Sequence, residues 1–432
     1  MQERFNLIVL IFLFCANGHS QEAEIVKDWT AYSQSVDVSK YENKEFRVSA
    51  YLRKEGDINK GKSALWARID KKNGTVGFFK NDVYNKNLMV SNDWKIFTIS
   101  GKIDKGAGKL YFGAFCQGNG AFYFDDFNIE IKSNTGEWES LKIGNKSFEE
   151  TLSEDSWQEG IRKSKMSKVK NFEIIYSKNQ PFHGQQSLLI KGSGIIGNND
   201  HGKFVEVNNV KLYYETYGEG QPLLLLHGNG QSISAFINQV EEFSKLYKVI
   251  LVDCRGRGNS SFDYETELTY TLEAKDIKLF LDKIGVKKTH ILGWSDGGII
   301  GLIMAINFPE KISKLIAVGA NINPKGLIGL EEMKNTIEEL EKNNRGNDND
   351  LFISLYKLMA NYPKLQYEDL KAIKSKTLIM AGDHDEIKNI HTIKMYEAID
   401  DAQLAILPNE THYFPSENPK FFNKLVLDFL KE

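Results

Sequence analysis

Three cysteines in 432 residues are too few to staple a fold. Cys15 sits in an N-terminal apolar run, while Cys116 and Cys254 fall in halves of different pattern. They form neither a disulfide framework nor a metal-ligand spacing, so the fold is expected to stand on its cores, with no metal and no cofactor. An excess of one charge is missing too. A net charge of −3 gives no whole-protein field that would recruit nucleic acid or an anionic membrane surface. The apolar run from Leu7 to Ala16 falls short of the ~20 residues a spanning helix requires, so no transmembrane span is expected there.

What that N-terminus does have is a charged start at Arg4, the short apolar run, and then small and polar residues. This is the pattern of a signal peptide over residues 1–20, cleaved after Ser20, and it implies a periplasmic or extracellular protein. Bulky Phe14 beside Cys15 argues against a lipid-attachment site. A hydrophobic content of 41% and a charged content of 26% fit a soluble globular chain long enough for two or three domains. The 18 Tyr and 26 Phe are spread along the chain, as core residues are.

Two halves follow, with different periods. Residues 21–195 hold short alternating runs such as "EFRVSAYLR", "SALWARID", "WKIFTISGKI", "KLYFGAF" and "AFYFDDFNIEI", separated by polar and Gly-containing turns. This pattern predicts an all-β sandwich. The run from Asn92 to Ile131 resembles the closing strands of jelly-roll modules of the carbohydrate-binding kind, and the pieces Asn145–Trp157 and Gly184–Gly192 resemble their opening. The order is inverted, so one jelly-roll-like sandwich completed by residues 145–195 is expected, with a glycan contact as the implied partner. Asp125-Asp126 reads either as a structural calcium ligand pair or as turn chemistry. Residues 196–203, rich in Gly and Asn, form the linker.

From residue 204 to 432 apolar strands alternate with amphipathic helices, the pattern of a parallel sheet covered on both faces. "KFVEVNNVKLYYETYG" reads as a hairpin turning at Asn208-Asn209. Helices are expected near 236–246, 272–284, 299–307, 393–399 and 421–430. Between Asn321 and Lys376 about fifty residues of Lys/Glu-rich helical sequence interrupt two strands, and an insertion of that size is expected to form a lid.

"THILGWSDGGIIGL" supplies strand, turn and helix around a G-x-S-x-G, the form of a nucleophile elbow centred on Ser295. A serine needs a base, and His412, in the loop "LPNETHYFPSENP" past the last strand, is the histidine placed to serve. The orienting acid follows "TLIMAG": Asp385 is favoured over Asp383, which would shape the turn. "HGNG" after another strand suggests an oxyanion hole built from the N–H of Asn229 and the N–H of Asp296, each worth about 3 kcal/mol of barrier. Arg255 and Arg257 in "DCRGRGNS" read as braces for loops. Asp296 has two readings: helix N-terminal charge worth ~0.3–1 kcal/mol, or a carboxylate that holds a substrate ammonium. Trp294 likewise reads as core packing or as a substrate-pocket wall.

The order Ser, Asp, His and the motifs around it make residues 203–432 resemble the α/β-hydrolase superfamily. "LGWSDGG" with "FPEKISKLIAVGAN" is especially similar to the valacyclovir hydrolase (biphenyl hydrolase-like) branch of serine esterases. The resemblance implies a Ser295–Asp385–His412 triad acting on a small ester or amide, with Asp296 pairing with a substrate amine. An export signal and a β module lie outside that branch's pattern. The expectation is therefore an exported serine carboxylesterase. Its competitors are a small-peptide aminopeptidase of the proline-iminopeptidase kind and a glycan-binding module with a passenger hydrolase.

Overall fold

The computed structural model describes residues 25–57, 61–84, 90–150, 169–197, 202–343 and 350–432. The signal-peptide reading and half of the linker, residues 198–201, lie outside the described residues. The chain divides into two compact units, Met1–Asn199 and Asp200–Glu432.

In the first unit, alternating burial along each strand produces two antiparallel sheets. One runs in the order 172–177, 187–192, 120–132, 45–55, 95–102, with 138–140 added beside 120–132. The other runs 29–37, 107–117, 62–71, 76–81. Both contribute to one apolar cluster that includes Tyr32, Phe46, Phe112, Phe124 and Ile190. Strands 172–177 and 187–192, drawn from late in this half, complete the larger sheet: 187–192 pairs onto 120–132 and 172–177 pairs onto 187–192. Phe148 adopts φ 58 and is fully buried, meeting the rings of Tyr32, Phe127 and Tyr176 edge-on. Asp125 has the turn role: its carboxylate accepts the backbone N–H groups of Asp126, Phe182 and His183, pinning the loop before 187–192. Burial pushes that carboxyl up to about 6 despite those bonds.

The second unit is an eight-stranded sheet: β1 (Lys203–Val207), β2 (Val210–Tyr217), β3 (Pro222–Leu226), β4 (Lys248–Val252), β5 (Thr289–Trp294), β6 (Ile312–Val318), β7 (Lys376–His384) and β8 (Ala402–Thr411). Their order is β1-β2-β4-β3-β5-β6-β7-β8, antiparallel at the first two pairings and parallel after them. This is the α/β-hydrolase fold. β1 and β2 turn at Asn208 and Asn209, both at positive φ, as a two-residue type I′ connection demands. β3 and β5 are buried on both faces, so they read as unbroken apolar runs rather than alternating ones.

Helices cover both faces. The helix 270–283 starts two residues earlier than expected because Thr269 caps it, its hydroxyl accepting the N–H of Leu272. The helix expected at 393–399 runs Asn389–Glu397, and the last helix begins at Pro419, a residue suited to a first helical turn. After β6 the insertion carries two helices, Leu330–Asn343 and Asp350–Asn361. Leu355 and Leu358 of the second join the same apolar cluster as the sheet, so this helix is packed rather than dangling.

Replacing Phe148 with Ala is expected to destabilise the first unit by ~3–5 kcal/mol. Hydrogen exchange of the 120–132 and 172–192 amides in the full-length protein measures it, and unchanged protection would contradict the packing role.

Candidate active site

The site begins with backbone geometry. β5 ends at Trp294 and a helix starts at Asp296, which leaves Ser295 at φ 57, ψ −118, a conformation that L-residues rarely adopt. The turn is possible because strand and helix approach closely: a Cβ on Gly297 would lie 1.9 Å from the carbonyl oxygen of Leu226 in β3. The Ser295 N–H donates to the carbonyl of Val318 at 2.7 Å, which ties the elbow to the end of β6.

The first residue past β6 brings in the histidine. Gly319 lies under the His412 ring, and a Cβ there would fall 2.7 Å from Cε1. His412 Nδ1 is 2.7 Å from Asp385 Oδ1, and that oxygen also accepts the Ile387 N–H. His412 and Asp385 are buried, whereas Ser295 is partly exposed. Asp383 is instead exposed and paired with His384. Burial pushes the His412 imidazole down, but the Asp385 bond and charge, with Glu386 and Asp296 adding to them, leave its pKa raised.

Opposite lies the turn after β3. His227 is buried, its Nδ1 2.8 Å from the Gly228 carbonyl oxygen while its Nε2 accepts the Cys254 N–H. Burial and nearby Arg257 drive it down to about 3, so it stays neutral. Gly228 abuts Ser295, whose Cβ would lie 3.0 Å from a Cβ added there. Asn229 follows Gly228 in this turn and Asp296 follows Ser295 at the start of its helix, so both residues expected to supply oxyanion donors flank the elbow.

Two expectations change. The Asp296 carboxylate does not stand open for a substrate ammonium. It is 2% exposed, with Oδ1 accepting the Tyr270 hydroxyl at 2.6 Å and Oδ2 the Asn229 amide at 2.9 Å. Arg257 lies 3.9 Å from it, and the same guanidinium pairs with Glu273 at 2.7 Å. Burial raises the Asp296 pKa, with Arg257, Tyr270 and Asn229 pulling the other way. Trp294 is not a pocket wall: it is 2% exposed and its indole N–H donates to the His412 carbonyl at 2.9 Å. It packs edge-on to Phe236 and Tyr413 and so braces the loop that carries the histidine.

Arg255 and Arg257 do brace the loop after β4, through Asp276 and Glu273 on the helix Tyr270–Lys283. Tyr270 and Gly319 are site residues that sequence reasoning missed. For Gly319 there was a signal, a glycine closing a strand in "KLIAVGA"; for Tyr270 there was none.

Residues 221–352 match the family model described as alpha/beta hydrolase fold. A 2-hydroxy-6-oxo-6-phenylhexa-2,4-dienoate hydrolase of Burkholderia cepacia is 28% identical over 273 residues, 53% of this chain and 96% of that one. A 2-hydroxy-6-oxononadienedioate/2-hydroxy-6-oxononatrienedioate hydrolase of Comamonas testosteroni is 27% identical over 273 residues, with the same shares. The crystal structure of a hydrolase from Pseudomonas aeruginosa PA01 gives a TM-score of 0.47 at 21% identity, covering 54% of this chain and 100% of that one. Both named relatives are dienoate or dienedioate hydrolases. The α/β-hydrolase superfamily is supported, while the particular nearness to the valacyclovir hydrolase branch is not what these relatives show.

A general base works in its neutral form, and a raised His412 pKa keeps the ring protonated to higher pH. The pH profile of kcat/KM is expected to rise to its plateau with a midpoint above the ordinary histidine value of about 6.5. Asp385→Asn is expected to lower the rate and move that midpoint down, since burial then dominates. A native midpoint below 6 would contradict the assignment.

Proposed function

We propose that this protein is an exported serine hydrolase that cleaves small, uncharged carboxylic esters through an acyl-enzyme on Ser295. The observation that carries the reading is the His412–Asp385 pair at 2.7 Å, seated on Gly319, one residue beyond the carbonyl that holds the Ser295 elbow.

The chemistry follows from this placement. His412 Nε2 takes the proton of the Ser295 hydroxyl as its oxygen attacks the ester carbonyl. Asp385 holds the Nδ1 proton and stabilises the imidazolium that forms. The carbonyl oxygen becomes an oxyanion facing the N–H groups of Asn229 and Asp296, each contributing about 3 kcal/mol to lowering the barrier. Collapse breaks the carbon–oxygen bond, and the leaving alkoxide takes the proton back from His412. Water, deprotonated by the same histidine, then releases the acid and frees Ser295.

Charge supports an uncharged ester. The relatives' named substrates are a dienoate and a dienedioate or trienedioate, which carry one and two carboxylates. Among the described residues, Arg255 and Arg257 are bound to Asp276 and Glu273, and Asp296 adds a further carboxyl next to Ser295 in the chain. Neither feature suits a carboxylate on the substrate. The amine preference implied by the valacyclovir resemblance is set aside, because both Asp296 oxygens already have partners. Export rests on Arg4, the Leu7–Ala16 run and the small residues before Gln21. Among the described residues, no helix is long and apolar enough to cross a membrane.

Turnover of p-nitrophenyl acetate is expected to fall by about 10⁴-fold or more in Ser295→Ala. A fluorophosphonate probe is expected to label the peptide containing Ser295. Labelling elsewhere, or release of amino acids from Pro-arylamides without ester turnover, would overturn the reading.

A further inference from the structure

We propose that the Asn229 side chain is a positioning residue, a clamp that fixes the two oxyanion donors relative to each other and ties them to the seated lid helix. This rests on the serine-hydrolase reading above.

The turn that carries Asn229 has little stiffness of its own. Glycines flank it at 228 and 230, with Gly230 at φ 65. Its local hydrogen bonds join Gly228 and Gln231 and leave Asn229 between them. The Asn229 side chain supplies what the backbone lacks. Its Nδ2 donates to Asp296 Oδ2 at 2.9 Å and to the carbonyl of Leu355 at 3.2 Å. Asp296 carries the second expected oxyanion donor on its own backbone. One amide group therefore spans the two residues whose N–H groups would face the oxyanion.

The acceptor is itself held. Asp296 Oδ1 accepts the hydroxyl of Tyr270, a residue in the first turn of the helix Tyr270–Lys283, which Thr269 caps. Leu355 lies within the lid helix Asp350–Asn361, with its side chain in the main apolar cluster. The chain Tyr270–Asp296–Asn229–Leu355 thus links a sheet-covering helix, the elbow, the turn after β3 and the lid.

The residue type is the one this position needs. Two acceptors require two hydrogens on one short side chain, which asparagine has and serine, alanine and aspartate lack. Oxyanion donors work by being fixed before charge develops, so loss of the clamp costs transition-state binding and leaves ground-state binding alone. Lifting the lid removes one of the two acceptors, so the aim of the Asn229 N–H depends on the lid being seated.

The test uses the full-length protein with p-nitrophenyl acetate as substrate and a trifluoromethyl ketone as tetrahedral-adduct probe. Asn229→Ala is expected to lower kcat about 10- to 100-fold with KM within about twofold, and to weaken ketone binding by the same factor as kcat. Asn229→Asp places two carboxylates together and is expected to be less active than Asn229→Ala at pH 8. The pair Asn229→Asp/Asp296→Asn restores a donor and an acceptor with their roles exchanged, and is expected to recover at least tenfold over Asn229→Asp alone.

Three results would overturn the clamp. They are a kcat within twofold of native in Asn229→Ala, a KM rise at unchanged kcat, or no recovery in the exchanged pair. Fluorophosphonate labelling of Ser295 separates these failures from failure of the serine-hydrolase reading. A protein labelled at Ser295 but indifferent to Asn229 loses only the clamp. If Asn229→Ala does not fold, the exchanged pair and Tyr270→Phe, expected to lose kcat in step with ketone affinity, decide the matter.

Discussion

A backbone contact between a strand and a helix governs the catalytic half. Gly297 packs against the carbonyl oxygen of Leu226 with no room for a side chain. That approach brings the helix start beside the end of β3, bends the chain through the unusual Ser295 conformation and sets the turn holding Asn229 next to the serine. Backbone strain of this sort costs of order 1–3 kcal/mol and persists only where surrounding structure holds it. Here the holding groups are the Val318 carbonyl on the Ser295 N–H, and Trp294, whose indole reaches the His412 loop.

Behind the elbow lies a concentration of buried charge. Arg255 and Asp276 form one enclosed pair, and Arg257 stands between Glu273 and Asp296. Enclosing ions costs several kcal/mol each in lost hydration, so such groups are weak stabilisers and strong orienters. Two carboxyls share one guanidinium, and burial pushes Glu273 up to about 7 and raises Asp296 as well. Burial disfavours the charged form of both carboxyls, while the shared guanidinium favours it.

The sequence shows the frame of this site better than its support. The alternation of strand and helix, the elbow, the histidine loop and the preference for Asp385 over Asp383 are all local signals, because each depends on residues within one strand-and-turn unit. The partners of Asp296 are not local. Tyr270 lies 26 positions away and reads as an ordinary helix residue, and the Asn229–Leu355 bond joins segments 126 positions apart. Helix ends shifted by a few residues where a cap or a proline set the boundary rather than apolar periodicity, as at Thr269 and Pro419. In the first unit, alternation marks each strand but not its neighbours. The pairing of 187–192 with 120–132 depends on which faces meet across the core.

His391 gives the insertion a property of its own. Its Nε2 accepts the N–H of Ile322, where the insertion departs, and its Nδ1 lies 2.9 Å from the hydroxyl of Tyr367, where the insertion returns. Burial and two nearby lysines push this histidine down to about 4, so it remains a neutral acceptor at ordinary pH. Departure and return are thereby fastened to one ring on a helix outside the insertion. The insertion is thus held where it leaves, at Leu355 in its second helix, and where it returns.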